Sequence, residues 1–151
     1  MKISRIIKAP RAAVYAACLD PEALAAWRVP DGMTGTMHAF DGREGGGYRM
    51  SLTYKDPATG PGGKTTDDTD SFTGRFLHLV PNEIIVECVA FDAADPAYAG
   101  AMTITTSLAD APGGTEISMA FEGLPKGVRP EDNEEGTRQS LRKLAALLEE
   151  Q

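Results

Sequence analysis

Hydrophobic and polar positions change period along this chain, and the changes outline its elements. A short alternating stretch at residues 3–8 predicts a first strand that ends before Ala9-Pro10, because the residue preceding a proline is pushed out of helical geometry. Pro10 suits the first position of a helix, and Ala13, Val14, Ala17 and Cys18 follow at helical spacing. Asp20 and Pro21 supply an N-cap and first helical residue for a second short helix ending near Trp27. After Val29-Pro30-Asp31-Gly32 the period becomes two, which marks the start of a sheet.

Within that region Tyr48, Met50, Leu52 and Tyr54 alternate with Arg49, Ser51 and Thr53. Met102, Ile104 and Leu108 alternate with Thr103, Thr105 and Ser107, and Ile117, Met119 and Phe121 with Glu116, Ser118 and Glu122. Each strand has one apolar and one wet face, as in an antiparallel meander covered on one side. Turns are expected at Pro81-Asn82, Asp95-Pro96 and Pro112-Gly113-Gly114. The strand at residues 84–91 is apolar on both faces with Glu87 its one charge. An apolar outer face carrying Ile85, Val89 and Phe91 is therefore expected to support a homodimer.

Helical spacing returns from Pro130 to about Glu149, with Leu141, Leu144, Ala145 and Leu148 on one stripe that must cover the sheet. Glu131, Asp132, Glu134 and Glu135 in its first turns complement the positive end of the helix dipole. That explains the cluster without a metal, since no histidine joins it.

The chain has 151 residues, 42% of them apolar and 25% charged, which suits one globular domain across residues 1–151 with a substantial core. Fifteen Lys and Arg stand against 22 Asp and Glu, a formal charge of -7 that repels phosphate backbones and anionic headgroups. Nucleic acid and membrane surfaces are set aside as partners. No signal peptide or bilayer-spanning run is found, and a cytoplasmic location is expected. Cys18 and Cys88 have no CxxC spacing and read as reduced, buried small hydrophobes.

Apparent motifs dissolve on inspection. Gly63-Lys64-Thr65 resembles the end of a phosphate-binding loop, but the first glycine would fall at Ala58 and the segment joins two strands. The stretch at residues 56–70 is long for a hairpin connection and is expected to be mobile, a lid over one cavity mouth. His78 shares the alternation of Phe72 and Phe76 and is the weak catalytic candidate, an inward acid or base. Arg49, Arg75, Glu87 and Glu116 are assigned to cross-strand pairs on the wet face. No cofactor and no metal are called for.

Several stretches together carry a family resemblance: APRAAVYAA at residues 9–17, DPEAL at 20–24 with Trp27 and Pro30, Gly46-Gly47-Tyr48, Phe72-Thr73-Gly74-Arg75-Phe76 through Val80-Pro81, Gly113-Gly114-Thr115-Glu116, Glu122-Gly123-Leu124-Pro125 and Leu141-Arg142-Lys143-Leu144-Ala145. In this order the chain resembles proteins related to the activator of the heat shock protein 90 ATPase, a branch of the START-like, birch-pollen-allergen-like (SRPBCC) superfamily. The resemblance implies an α+β helix-grip fold. In it a curved antiparallel sheet wraps a long C-terminal helix, and two short helices follow the first strand.

The resemblance also implies a cavity between helix and sheet, as family members commonly hold lipids, polyketides or other apolar molecules there. A curved sheet and one helix leave volume that is either filled by side chains or open as a pocket. Candidates to line it are Tyr48, Met50, Phe72, Phe76, Met102, Ile104, Met119 and Phe121 from the sheet, Leu141 and Leu144 from the helix, and Trp27 from the short helices. The same residue types at the same spacing also serve as plain core. Family members often have Gly-Trp near the start of the long helix where this chain has Gly136-Thr137, which implies a larger or more polar cavity there. A glycine inside a helix costs about 1 kcal/mol relative to alanine, so Gly136 is expected to mark close approach of another segment or a ligand.

Three functions follow: binding of a small apolar ligand, a cyclase- or hydrolase-type enzyme using polar groups in the same cavity, and a chaperone-associated interaction module. The last is disfavoured because the chain reads as a lone domain, whereas the named relatives act as part of a larger protein.

Overall fold

The computed structural model describes residues 1–56 and 69–149. In chain order the elements are β1 (Lys2–Ile7), α1 (Arg11–Cys18), α2 (Pro21–Trp27), β2 (Met33–Phe40), β3 (Gly47–Tyr54), β4 (Thr69–Val80), β5 (Ile84–Phe91), a 3-10 turn (Pro96–Tyr98), β6 (Ala101–Ala111), β7 (Gly114–Glu122) and α3 (Pro130–Glu149). The strands form one antiparallel sheet in the order β1-β7-β6-β5-β4-β3-β2, curled around α3. This is the helix-grip architecture expected from the sequence.

Local chemistry accounts for most boundaries. The Asp20 side chain accepts from the Glu22 N–H at 3.0 Å and caps α2 as its Asp-Pro start requires. Pro10 is the N-cap of α1 rather than its first helical residue, and β1 begins one residue earlier than the alternation suggests. The β4–β5 turn places Asn82 at φ 63°, and the β6–β7 turn places Gly113 at φ 82°, a left-handed geometry that asparagine and glycine tolerate best. The connection expected at residues 56–70, with Gly63-Lys64-Thr65, falls mostly outside the described residues. Among the described residues no helix is long and apolar enough to cross a membrane.

Two expectations about facing are corrected. A bulge between Phe76 and His78 inserts one residue against β5 and reverses the alternation, so His78 is exposed on the outer face. In β5, Ile85 and Val89 are each 2% exposed and belong to the core, so they cannot form an outer dimer face. Phe91 lies on the same inner side. Glu87 shares their parity and is buried as well, contrary to its placement on the wet face. Arg49 does lie outside, paired with Asp92 at 3.4 Å, and Arg75 and Glu116 are also exposed.

The last turns of α3 seal one end of the sheet through buried Leu141, Leu144 and Ala145. Polar bonds tie the same helix to the segment after α2. Lys143 Nζ donates to the Val29 carbonyl at 2.6 Å, Arg142 Nη2 to Asp31 Oδ1 at 2.5 Å, and the Asp31 N–H to Gln139 Oε1 at 2.8 Å. The Arg142 bond, with Lys143 nearby, holds the Asp31 carboxyl below its ordinary range.

Candidate functional site

The inner faces of β3 to β7 and the first half of α3 do not meet completely. Between them lies a cavity of about 600 Å³, walled by apolar side chains of the sheet and roofed by Asn133, Gly136, Thr137 and Ser140. Roof residues recur at three- and four-residue spacing, so they share one face of the helix. One turn further on, Leu141 and Leu144 fill the space instead.

Of the residues expected to line such a cavity, Phe72, Met102, Ile104, Met119 and Phe121 do so. Tyr48, Met50, Phe76, Leu141, Leu144 and Trp27 are buried in the packed core beside it and are not part of its wall. Trp27 closes the joint between the short helices, its indole N–H donating to the Ala17 carbonyl at 2.9 Å. Gly136 does face the cavity, but a side chain there would meet only Pro30, at 3.6 Å from Cγ and 3.9 Å from Cβ, ordinary contacts. Among the described residues no chain segment makes the close approach expected at this glycine.

At the α2 side of the cavity stands a buried polar cluster. Arg28, the residue that ends α2, directs Nη1 to Glu87 Oε1 at 2.8 Å, and the Tyr48 hydroxyl donates to the same oxygen at 2.5 Å. The guanidinium carbon lies 5.7 Å from the centre of the Tyr48 ring, within cation–π range. Arg28 alone of the three contributes to the cavity wall, and its side chain keeps 15% of its surface exposed against 3% for Glu87. Burial works against the Arg28 charge, yet Glu87, Tyr48 and Cys18 together outweigh it and the guanidinium is held more firmly protonated. Burial pushes the Tyr48 phenol well above its ordinary range; Arg28 opposes that rise and Glu87 adds to it.

Tyr48 reaches this cluster by crossing Gly74, its partner on β4. A side-chain carbon built on Gly74 would stand 2.3 Å from the tyrosine ring. Glycine at that position therefore permits the ring to lie flat against the sheet. Beneath the same cluster, Cys18 is buried, and loss of solvation pushes its thiol up to about 12, with Arg28 opposing and Glu87 contributing.

Further polar groups ring the wall: Asp70, 4% exposed, beside Tyr54, Tyr98 and Asp132. Burial raises the Tyr54 phenol, and the negative charges of Asp70 and Asp132 raise it further. None of these four is among the residues expected to line the cavity. Asp70 shares the parity of Phe72 and Phe76, and Glu87 that of Ile85 and Val89, so strict alternation would have found both. No pattern marks Arg28, which enters the cavity only because α2 ends there.

His78, outside the sheet, is remote from this chemistry. His38 is also on the outside, its Nε2 2.8 Å from Ser51 Oγ, beside a shallow depression between α2 and β2. No group of three or more His, Cys, Asp or Glu among the described residues is placed to hold a metal.

The family model for the Activator of Hsp90 ATPase homolog 1-like protein matches residues 8–149. A crystal structure of a Chromobacterium violaceum protein is 37% identical, covering 99% of this chain and 96% of its own, with a TM-score of 0.87. Proteins from Rhodobacter sphaeroides (23% identity, 98% and 91% coverage, TM-score 0.77) and Arthrobacter aurescens (19%, 99% and 86%, 0.80) share the fold. No curated protein gives a significant match.

Proposed function

We propose, from the premise that this chain belongs to the Activator of Hsp90 ATPase homolog 1-like family, that it binds a small molecule with a largely apolar body between its sheet and α3. The observation that carries this reading is the 600 Å³ cavity beside the packed core. Its size falls within the range of small-molecule sites, roughly 300–1,000 Å³. A void of that size beside a close-packed core forfeits contacts throughout its lining, and an apolar occupant restores them.

Lipid-like, polyketide-like and aromatic molecules all have the required body. The cyclase or hydrolase reading has lost its named acid–base candidate, because His78 stands outside the sheet. A chaperone-associated role is supported by the family's description alone.

Native mass spectrometry of freshly purified protein, paired with solvent extraction, tests the binding reading. The expected result is one dominant copurified molecule, or a stoichiometric complex when the chain is offered a neutral dye such as Nile red. Protein that arrives empty and binds no apolar probe would overturn it.

A further inference from the structure

The charges around the cavity are unequal, and they bear on what kind of molecule fits. Its wall includes four acidic residues, Asp31, Asp70, Asp132 and Glu135, and two basic ones, Arg28 and Arg129, and Asp31 is offset by Arg142 at 2.5 Å and Lys143 at 3.5 Å. Arg129 is well exposed and pairs with Glu131 at 3.6 Å, and the charge of Arg28 is already opposed by Glu87 at 2.8 Å. No basic group of the wall is thus left with an uncompensated charge for an entering anion. A carboxylate bound at Arg28 would bring a second negative charge beside the buried Glu87 carboxylate, where like charges repel.

Arg28 nevertheless has more donors than its neighbours use. A guanidinium carries five N–H groups in a rigid fork and accepts nothing. One nitrogen is engaged by Glu87, a side-chain hydrogen bond links the group to Tyr48, and its central carbon lies 5.7 Å from the Tyr48 ring centre. The side chain keeps 15% of its surface exposed and belongs to the cavity wall. An uncharged oxygen entering here gains a hydrogen bond from a charged donor without bringing a second negative charge beside Glu87.

We propose that the cavity selects an uncharged amphipathic molecule, whose hydroxyl or carbonyl oxygen accepts from Arg28 while its apolar body lies on Phe72, Met102, Ile104, Met119 and Phe121, and that it rejects the corresponding carboxylate. This proposal rests on the ligand-binding reading above and adds to it the class of head group. The ion pair with Glu87 is then a selectivity device: it keeps the guanidinium in place as a donor and cancels its attraction for anions.

The test is displacement of Nile red from the full chain at neutral pH by decanol, decanoate and decane, followed by fluorescence. Decanol should bind about tenfold or more tighter than decanoate, and about tenfold tighter than decane, the difference of one hydrogen bond to a charged donor. In Arg28→Met combined with Glu87→Gln, which removes both charges together, decanol should fall to the level of decane. Glu87→Gln alone, which frees the guanidinium charge, should narrow or reverse the preference over decanoate.

Decanoate binding as tightly as decanol to the unaltered chain would overturn the proposal, as would a decanol preference that survives in the double variant. Nile red bound with either result leaves the cavity reading standing and sinks only the head-group assignment. Failure of Nile red and all three compounds to bind would bring down both.

Discussion

The Tyr48 hydroxyl and the Glu87 carboxylate meet at 2.5 Å across two strands that are not neighbours in the sheet, with β4 lying between them. Tyr48 spans that gap because β4 offers only Gly74 in its path. Arg28 then closes on the same oxygen from α2 and joins the helical layer to the middle of the sheet.

Removing one member of this cluster strands the others. Arg28→Met leaves a buried carboxylate without its cation and is expected to cost about 3–5 kcal/mol. Tyr48→Phe removes one hydrogen bond to a charged group, a loss of about 1.5–3 kcal/mol. The double change Arg28→Met with Glu87→Gln should recover much of the single Arg28 loss, because the buried charge leaves with its partner. Urea unfolding of the four proteins measures each difference, and a double variant no more stable than Arg28→Met would contradict the account.

Gly74→Ala drives a methyl group into the Tyr48 ring. The expected cost is about 1–3 kcal/mol, the range for overpacking in a filled interior. In the Tyr48→Ala background the same substitution should cost far less, since the obstructing ring is gone. Equal costs in both backgrounds, read from thermal or urea midpoints, would show that the ring is not the obstacle.

Gly136→Ala has the opposite sign. The added methyl meets only Pro30 at ordinary contact distance, so the helix gains about 1 kcal/mol from the better helix former. A raised unfolding midpoint is the expected result. A lowered one would restore the crowding that the sequence suggested at this position.

Alkaline pH should weaken the fold through Cys18. Its thiol titrates near 12 in the folded chain and near the ordinary 9.0 once unfolded, so the unfolded state releases its proton first. The stability associated with the neutral buried thiol is complete below about pH 9 and is lost as pH rises toward about 12. Tyr48, also raised, acts in the same direction. Replacing Cys18 with alanine should flatten the decline of stability across that window, measured by urea midpoints. In a Cys88→Ser background, iodoacetamide at neutral pH should leave Cys18 unmodified until the chain unfolds.

Period and punctuation made the architecture legible in the sequence. Asp20-Pro21, Pro112-Gly113-Gly114 and the leucine stripe at the end of α3 each act through local chemistry that no distant contact overrides. The site was legible only in part. Phe72, Met102, Ile104, Met119 and Phe121 follow strand alternation into the wall, but alternation cannot separate wall from core, and Tyr48, Met50 and Phe76 have the same pattern. His78 was misplaced because one bulge residue reverses every facing beyond it. Glu87 was misplaced because a charge in a strand was assigned to water, and its compensating cation lies far away in sequence, at the end of α2.

The two halves of α3 carry different constraints, and that division has an evolutionary consequence. Positions 141, 144 and 145 are locked against the sheet, so change there is paid in folding. Asn133, Gly136, Thr137 and Ser140 face unfilled space instead. Substitutions at those four positions can reshape the chamber while the anchoring half holds the scaffold, so a lineage can exchange one occupant for another without crossing an unfolded intermediate. Diversity among relatives should therefore concentrate in the first half of this helix, and a combinatorial library at these four sites is the economical route to altered ligand preference.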